Sequence, residues 1–312
     1  MRRVLHIGPC NTPGGMAKVI EILSQNPPKS WNADILDSHS KGNILTKLLA
    51  WRKAQTYLKK HAGEFDIIHI HSAAGWSYKR KLSLARTAIK QNAQVVFHIH
   101  SGQFDQFAKQ RKNIKNDLKS VNIVVLSNYW QEKLQPVIGD CLVIENPVDP
   151  NITIDDSISR KPKQLLLLGR PDPVKGHSFA FDIARLLQKE GWELVATGTE
   201  HSEAGIKGLG WVSEQEKLRL LQESTAMLIP SKFEGQPLVM LEALAAGCPV
   251  IASDKIPELP PCVTSATHQD LDEWIKAITG VSKLDSKDYV ESHRIVTINA
   301  NWQEFYNRLI EN

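Results

Sequence analysis

Leu228-Ile-Pro-Ser-Lys-Phe-Glu-Gly-Gln-Pro-Leu-Val-Met-Leu-Glu-Ala-Leu-Ala-Ala-Gly-Cys-Pro-Val-Ile-Ala-Ser253 decides how the rest of the sequence is read. Ala226 to Ile229 is a short apolar strand, Pro230 to Gly235 a polar loop, and Pro237 to Ala246 a helix closed by Gly247, with Pro249 opening a strand to Ala252. Pro237 suits a first helical turn, where its missing N–H would be unpaired anyway. The spacing leaves the backbone N–H groups of Leu238 and Val239 directed with the helix dipole toward the loop, an arrangement that receives a phosphate. Glu234 sits in that loop, and Glu242 stands in an otherwise apolar helix, where a carboxylate is costly without a partner. Ribose hydroxyls would be suitable partners. A glutamate that only caps neighbouring backbone is the plainer alternative.

Working outward, Gln164 to Leu168 reads as a strand, followed by Gly-Arg-Pro-Asp-Pro-Val-Lys-Gly (169–176) and a helix from His177 to Lys189. Arg170 and Lys175 would therefore leave the end of a strand beside a helix start, where fixed cations neutralise a diphosphate. Glu193 to Thr197 reads as a further strand, Ser213 to Glu223 as a helix with a capping box through Glu216, and Leu209 to Val212 resembles a strand of a known family. In the first half, Val4 to Gly8 is a strand that runs through Gly14 and Gly15 into a helix at Met16 to Leu23. That glycine turn is phosphate-approach geometry, although the Gly-x-Gly-x-x-Gly dinucleotide fingerprint is absent. Strands at 33–36, 66–71, 94–99, 121–126 and 142–145 alternate with helices at 44–61, 78–90 and 128–134. Such alternation implies parallel sheets covered on both faces, with function at the carboxyl ends of the strands.

At 312 residues the chain is long for one core. Two Rossmann-like domains are expected, 1–155 and 156–294, with the polar stretch Asp155 to Lys163 at their junction and a C-terminal helix, 295–312, returning to the first. Hydrophobic content of 42% against 23% charged excludes a disordered chain. The four cysteines lack metal-ligand spacing and read as reduced. No apolar run is long enough to span a bilayer, and the N-terminus makes a poor signal peptide, so a cytoplasmic location is expected. Charge is uneven. Residues 1–150 carry 21 Lys+Arg against 11 Asp+Glu, a net +10, and residues 151–312 carry 17 against 23, a net −6. The first half is the one to meet an anionic partner. The basic and apolar helix 44–61 fits either a membrane-surface face or a solvated helix packed on its sheet. Nucleic acid is not expected, because aromatics are not interleaved with the basic residues.

His98 and His100 share a strand face at the end of 94–99, but no third ligand stands near them at metal spacing, and no metal site is expected. Asp270-Leu271-Asp272 precedes an apolar helical pattern and reads as acidic residues in a first helical turn.

Taken jointly, Gly14-Gly15, His100, Arg170 and Lys175, and the Glu234/Glu242 pair resemble retaining nucleotide-sugar glycosyltransferases of the GT-B fold, specifically family four (group 1). The Glu-Gly-x-x-Leu-Val-x-Leu-Glu-Ala-x-Ala-Ala-Gly-x-Pro-Val pattern and Gly-Arg-x-x-x-x-Lys-Gly are matched; Gln236 and Pro237 depart from the usual form, and Pro237 cannot supply a backbone N–H. The resemblance implies two Rossmann-like domains facing a deep cleft. It implies transfer of a sugar from a nucleoside diphosphate donor to an acceptor hydroxyl, without metal or other cofactor. Arg170, Lys175, Glu234 and His100 would be the catalytic residues, and Gly14, Gly15, Gly235, Leu238, Val239 and Glu242 would bind the donor. His100 would contact the donor sugar, leaving His98 a structural role. A glycan or lipid-linked acceptor, of the kind used in surface polysaccharide or glycolipid assembly, and an anionic membrane surface are the expected partners. A sugar-nucleotide epimerase of the same fold and a non-catalytic nucleotide-sugar-binding subunit are the competing readings.

Overall fold

The computed structural model describes residues 1–39, 42–282 and 284–311. Its residues gather into two units, one formed by Met1–Pro147 together with 293–311 and the other by Val148–Ser292. The division thus falls at residue 147, ahead of the polar stretch expected to mark it. Asp155 to Lys163 belongs to the second unit, where Arg160 donates to the carbonyls of Leu221, Ser224 and Gly247. A single half-buried guanidinium anchoring three carbonyls holds that segment down despite its polar composition.

The first unit is built on a six-stranded sheet of β1 (Arg2–Gly8), β2 (Trp31–Asp37), β3 (Ile67–Ser72), β4 (Gln94–Ile99), β5 (Asn122–Val125) and β6 (Cys141–Val143). Their order is β2-β1-β3-β4-β5-β6, with every pairing parallel. Because helices cover both faces, the central strands are apolar almost without interruption, and β3 is buried along its full length. The exceptions are histidines. The helix Ile295–Glu311 closes this unit by laying Trp302 and Tyr306, both buried, against Trp31, His69 and His98.

The second unit repeats the plan with β7 (Gln164–Leu167), β8 (Glu193–Ala196), β9 (Ile206–Gly208), β10 (Ala226–Ile229), β11 (Val250–Ser253) and β12 (Thr264–Ala266). The order is β12-β11-β10-β7-β8-β9, again parallel throughout. The α/β class expected from the alternating elements is what forms. Local boundaries differ. The strand expected at Leu209 to Val212 lies three residues earlier, as β9, because Leu209 N–H already bonds the end of β8 at Ala196 and the chain then turns at Gly210. The helix expected to stop at Leu134 continues through Pro136 to Ile138 and ends at Gly139, whose N–H bonds Gln135.

The helix Ile44–His61 buries only Ala54 and Leu58. Its first half turns Ile44, Leu45 and Leu49 outward, at 83%, 67% and 65% exposure, beside exposed Arg52 and Lys53. A contiguous apolar stripe of this kind is not what a simply solvated helix presents.

All four cysteines are free thiols. No described helix is long and apolar enough to cross a membrane.

Candidate functional site

β7 and β10 are neighbours in the second sheet, so the loops leaving their carboxyl ends lie side by side. After β7 the backbone passes through Gly169, at φ +131°, and a single turn at Pro173–Lys175 capped by the Asp172 side chain. It then reaches Gly176 at φ +71°. A Cβ at Gly176 would lie 2.5 Å from the Pro230 carbonyl oxygen, so only glycine permits the two loops to approach this closely. The contact is locked by Lys232 N–H donating to Val174 O at 2.8 Å.

This approach brings Lys175 and Glu234 together. Lys175 Nζ donates to Glu234 Oε1 at 2.7 Å, with the carboxylate side chain largely buried. Arg170 lies five residues upstream on the same loop, exposed, and among the described residues no carboxylate pairs with its side chain. The loop holding Glu234 and Gly235 leads into the helix Leu238–Ala245. Pro237 does not form the first helical turn, as the sequence suggested, but stands at the N-cap with extended ψ of 112°. The reason is local: Met240 N–H bonds back to Pro237 O, which starts the helix one residue later. Among the described residues, no backbone carbonyl accepts from Leu238 or Val239, so these two N–H groups remain at the helix start.

Glu242, one turn further in, is 2% exposed. The charge that makes this burial tolerable is Lys217, on the helix Glu214–Glu223, whose Nζ donates to Glu242 Oε1 at 2.7 Å and also reaches Glu214 at 2.9 Å. Burial pulls the Lys217 ammonium down, but the two carboxylates outweigh it and hold its pKa above the ordinary value. Lys217 was not singled out in the sequence. It lies twenty-five positions from its partner in a charged, amphipathic helix, where one lysine looks like another. His177 was also passed over. It opens the helix His177–Leu187 at the same loop, is 6% exposed, and finds no hydrogen-bond partner for either ring nitrogen among the described residues.

In the first unit, Gly14 precedes and Gly15 begins the helix Gly15–Gln25, both exposed, at the carboxyl end of β1. The neighbouring buried side chain there is Lys81, which donates to Ser38 Oγ, while Ser38 in turn holds the Gly8 carbonyl through both its N–H and its hydroxyl. Burial lowers the Lys81 pKa to about 7. Nothing in the basic helix around it distinguished this lysine by sequence.

His100 lies immediately past β4, partly exposed, its N–H bonded to Ser72 O. The premise that it and His98 lack further histidine neighbours fails, because β3 runs beside β4 and β1 beside β3. His71 Nδ1 is 3.0 Å from His100 Nε2, and His71 Nε2 is 3.1 Å from His6 Nδ1. His69 Nε2 is 3.2 Å from His98 Nδ1, and His69 Nδ1 is 2.6 Å from the Tyr306 hydroxyl. Burial lowers all five imidazole pKa values, to about 3 for His6 and His100, and further lowering comes from neighbouring rings for the other three. The cluster is neutral at pH 7.

Asp270, finally, caps the helix Leu271–Thr279 by accepting from Glu273 N–H, which is the helix-start role its position suggested.

Two parallel six-stranded α/β units, the second with a glycine-bounded basic loop beside an acidic strand-to-helix turn, define a protein of the GT-B class. Residues 162–283 match the family model of glycosyl transferases, group 1. It is similar to an uncharacterized 41.2 kDa protein in the cps region of Klebsiella pneumoniae, at 23% identity covering 91% of this chain and 89% of that one. An amylovoran biosynthesis glycosyltransferase of Erwinia amylovora is 26% identical, over 77% of this chain and 64% of its own length. Among solved structures, the sucrose-phosphate synthase of Thermosynechococcus elongatus superposes over the full length of both chains with a TM-score of 0.76 at 16% identity, a likeness of fold.

Proposed function

We propose that the chain transfers a sugar from a nucleoside diphosphate donor to an acceptor hydroxyl with retention of anomeric configuration and without a metal at the diphosphate. The observation that carries this reading is the junction of the two loops after β7 and β10. There a lysine held by a carboxylate, an exposed arginine and two backbone N–H groups at a helix start supply positive potential. Charge developing on a departing diphosphate is stabilised by such fixed donors, commonly by several kcal/mol per group, which is the service a bridging metal gives elsewhere. The partly buried Glu234 and buried Glu242 place acceptors where sugar or ribose hydroxyls would bond. No described side chain is positioned as an evident nucleophile. Attack from the face that the diphosphate leaves, with that diphosphate taking the acceptor proton, accounts for retention.

Screening nucleoside diphosphate sugars by thermal shift identifies the donor, since a ligand at about 100 times its Kd adds about 2.7 kcal/mol of stability. Transfer with the identified donor is expected to persist in EDTA. Inhibition by EDTA that manganese or magnesium reverses would put a metal at the diphosphate instead. A changed sugar with no acceptor added would make the chain an epimerase, and tight donor binding with no product from any acceptor extract would make it a binding subunit.

For the acceptor we propose a lipid-linked glycan of surface polysaccharide or glycolipid assembly, reached from the cytoplasmic face of a membrane. Support comes from the relatives named for a cps region and for amylovoran biosynthesis and from the outward Ile44, Leu45 and Leu49 stripe beside Arg52 and Lys53. Exposed Trp76, with Lys79 Nζ 4.6 Å from its ring centroid, opens another helix of the same unit. Apolar residues inserted at the headgroup boundary and lysines worth about 1 kcal/mol each near an anionic surface together give a reversible anchor. The protein is expected to float with anionic but not with neutral vesicles, and the Leu45→Ser, Leu49→Ser double variant to remain at the bottom of the gradient. Absence of wild-type flotation with either vesicle at low salt would sink the membrane reading.

A further inference from the structure

We propose that His71, His98 and His100 form a binding site for one divalent transition-metal ion, Zn(II) by the chemistry of the ligands, at the carboxyl edge of the first sheet. The inference goes beyond the transfer reading and does not rest on it.

One ring nitrogen from each of the three histidines lies within 4.8 Å of the others. A tetrahedral zinc with Zn–N bonds of about 2.0–2.1 Å sets its nitrogens about 3.3 Å apart. The His71 Nδ1 to His100 Nε2 separation of 3.0 Å is already near that edge length. His98 is the informative member. It is 1% exposed, and its Nε2 has no hydrogen-bond partner among the described residues. An orphaned buried imidazole nitrogen costs about 1–3 kcal/mol unless something occupies it.

The contacts around the cluster admit a set of tautomers that leaves a lone pair on one nitrogen of each of the three rings. In that set His98 Nδ1–H donates to His69 Nε2, and His69 Nδ1–H donates to the Tyr306 hydroxyl, which leaves His98 Nε2 as a lone pair. His71 Nε2–H donates to His6 Nδ1, which leaves His71 Nδ1 as a lone pair facing His100 Nε2. Each buried ligand then has its second nitrogen bonded to an outer partner, the arrangement that orients metal-binding histidines. With no cation, a proton shared between His71 and His100 would satisfy those two rings and still leave His98 Nε2 unpaired. A cation satisfies all three.

The ligand set selects the metal. Three neutral imidazoles suit zinc, nickel or copper and are poor ligands for calcium or magnesium, which take oxygen. His100, the partly exposed ring, gives the entry side, and a fourth position is left for water or an anion, which also offsets the buried positive charge.

Chelator-treated protein titrated with Co(II) is expected to develop the visible absorption of a four-coordinate cobalt site, saturating at one equivalent, and Zn(II) to displace it. His98→Gln and His71→Gln are expected to weaken binding by at least about 100-fold, beyond what outer partners typically contribute. Because burial makes those two variants vulnerable to misfolding, His100→Gln serves as the second variant, and it is expected to lose cobalt binding while keeping a native circular dichroism spectrum. His39→Gln, outside the cluster, is expected to bind as wild type. Folded wild-type protein that takes up no cobalt or zinc at micromolar free metal overturns the proposal, as does binding that survives all three cluster variants. Neither result touches sugar transfer, and failure of transfer leaves the cobalt spectrum unaffected.

Discussion

Acidification from pH 7 to pH 5, in the presence of a chelator, is expected to unfold the first unit. Its five clustered imidazoles, His6, His69, His71, His98 and His100, all have folded-state pKa values lowered by burial, and two of them fall to about 3. In the unfolded chain each would return to about 6.5. Above pH 6.5 both states are neutral, and the cluster adds no pH dependence. Below it the unfolded chain binds protons that the folded unit refuses, so stability falls continuously from pH 6.5 toward the folded values. At pH 5 the difference is about 2 kcal/mol for each of His6 and His100, and the three further rings, lowered in the same direction, add to it. The two rings alone therefore take a large share of the stability of an ordinary domain, about 5–15 kcal/mol. Hydrogen exchange read by mass spectrometry on peptides from β1, β3 and β4 isolates this unit from the other. Protection is expected to collapse between pH 6 and pH 5, and protection of these strands that is unchanged at pH 5 would show that the cluster does not govern acid stability.

Replacement of Lys175 or Arg170 by alanine is the second large effect, expected to lower turnover by about 100-fold, the usual consequence of removing a charge partner present chiefly in the transition state. The two residues differ in setting, which makes the pair of variants informative. Lys175 is bonded to Glu234, whereas Arg170 is exposed and has no side-chain ion pair among the described residues. Arg170→Ala therefore removes a charge without breaking a described ion pair, and its melting temperature is expected to match wild type. Lys175→Ala also deprives a largely buried carboxylate of its ammonium, so some stability falls with activity. Lys175→Arg is expected to recover part of both. Wild-type turnover in both alanine variants would remove the proposed diphosphate site.

The residues that were legible in the sequence share a property: each lies within a short contiguous pattern whose geometry is local. Gly169 to Gly176 and Glu234 to Gly247 each span one strand end, one loop and one helix start, so spacing along the chain translates directly into position. Lys217 and Glu242 meet across two helices, and the five histidines meet across three strands, with bonded pairs up to sixty-five positions apart. Parallel sheets make such contacts routine, because consecutive strands are separated by a whole crossover. Periodicity reports that His69 and His71 lie on one strand face but not which strand comes to lie beside it. The outward leucines of the helix Ile44–His61 were hidden for the opposite reason. Apolar residues in a basic helix are ordinarily its packed face, and only the structure shows that Ala54 and Leu58 fill that role.

The first unit is not continuous along the chain: Trp302 and Tyr306, near the end of the sequence, cover histidines from β3 and β4. A ribosome delivers 1–147 first, yet that segment cannot finish its interior until the whole second unit has emerged and the helix Ile295–Glu311 follows. During elongation every residue of the second unit has been added before that helix begins, so the second unit is complete in sequence while the first still lacks Trp302 and Tyr306. The order of completion is thus the reverse of the order of synthesis.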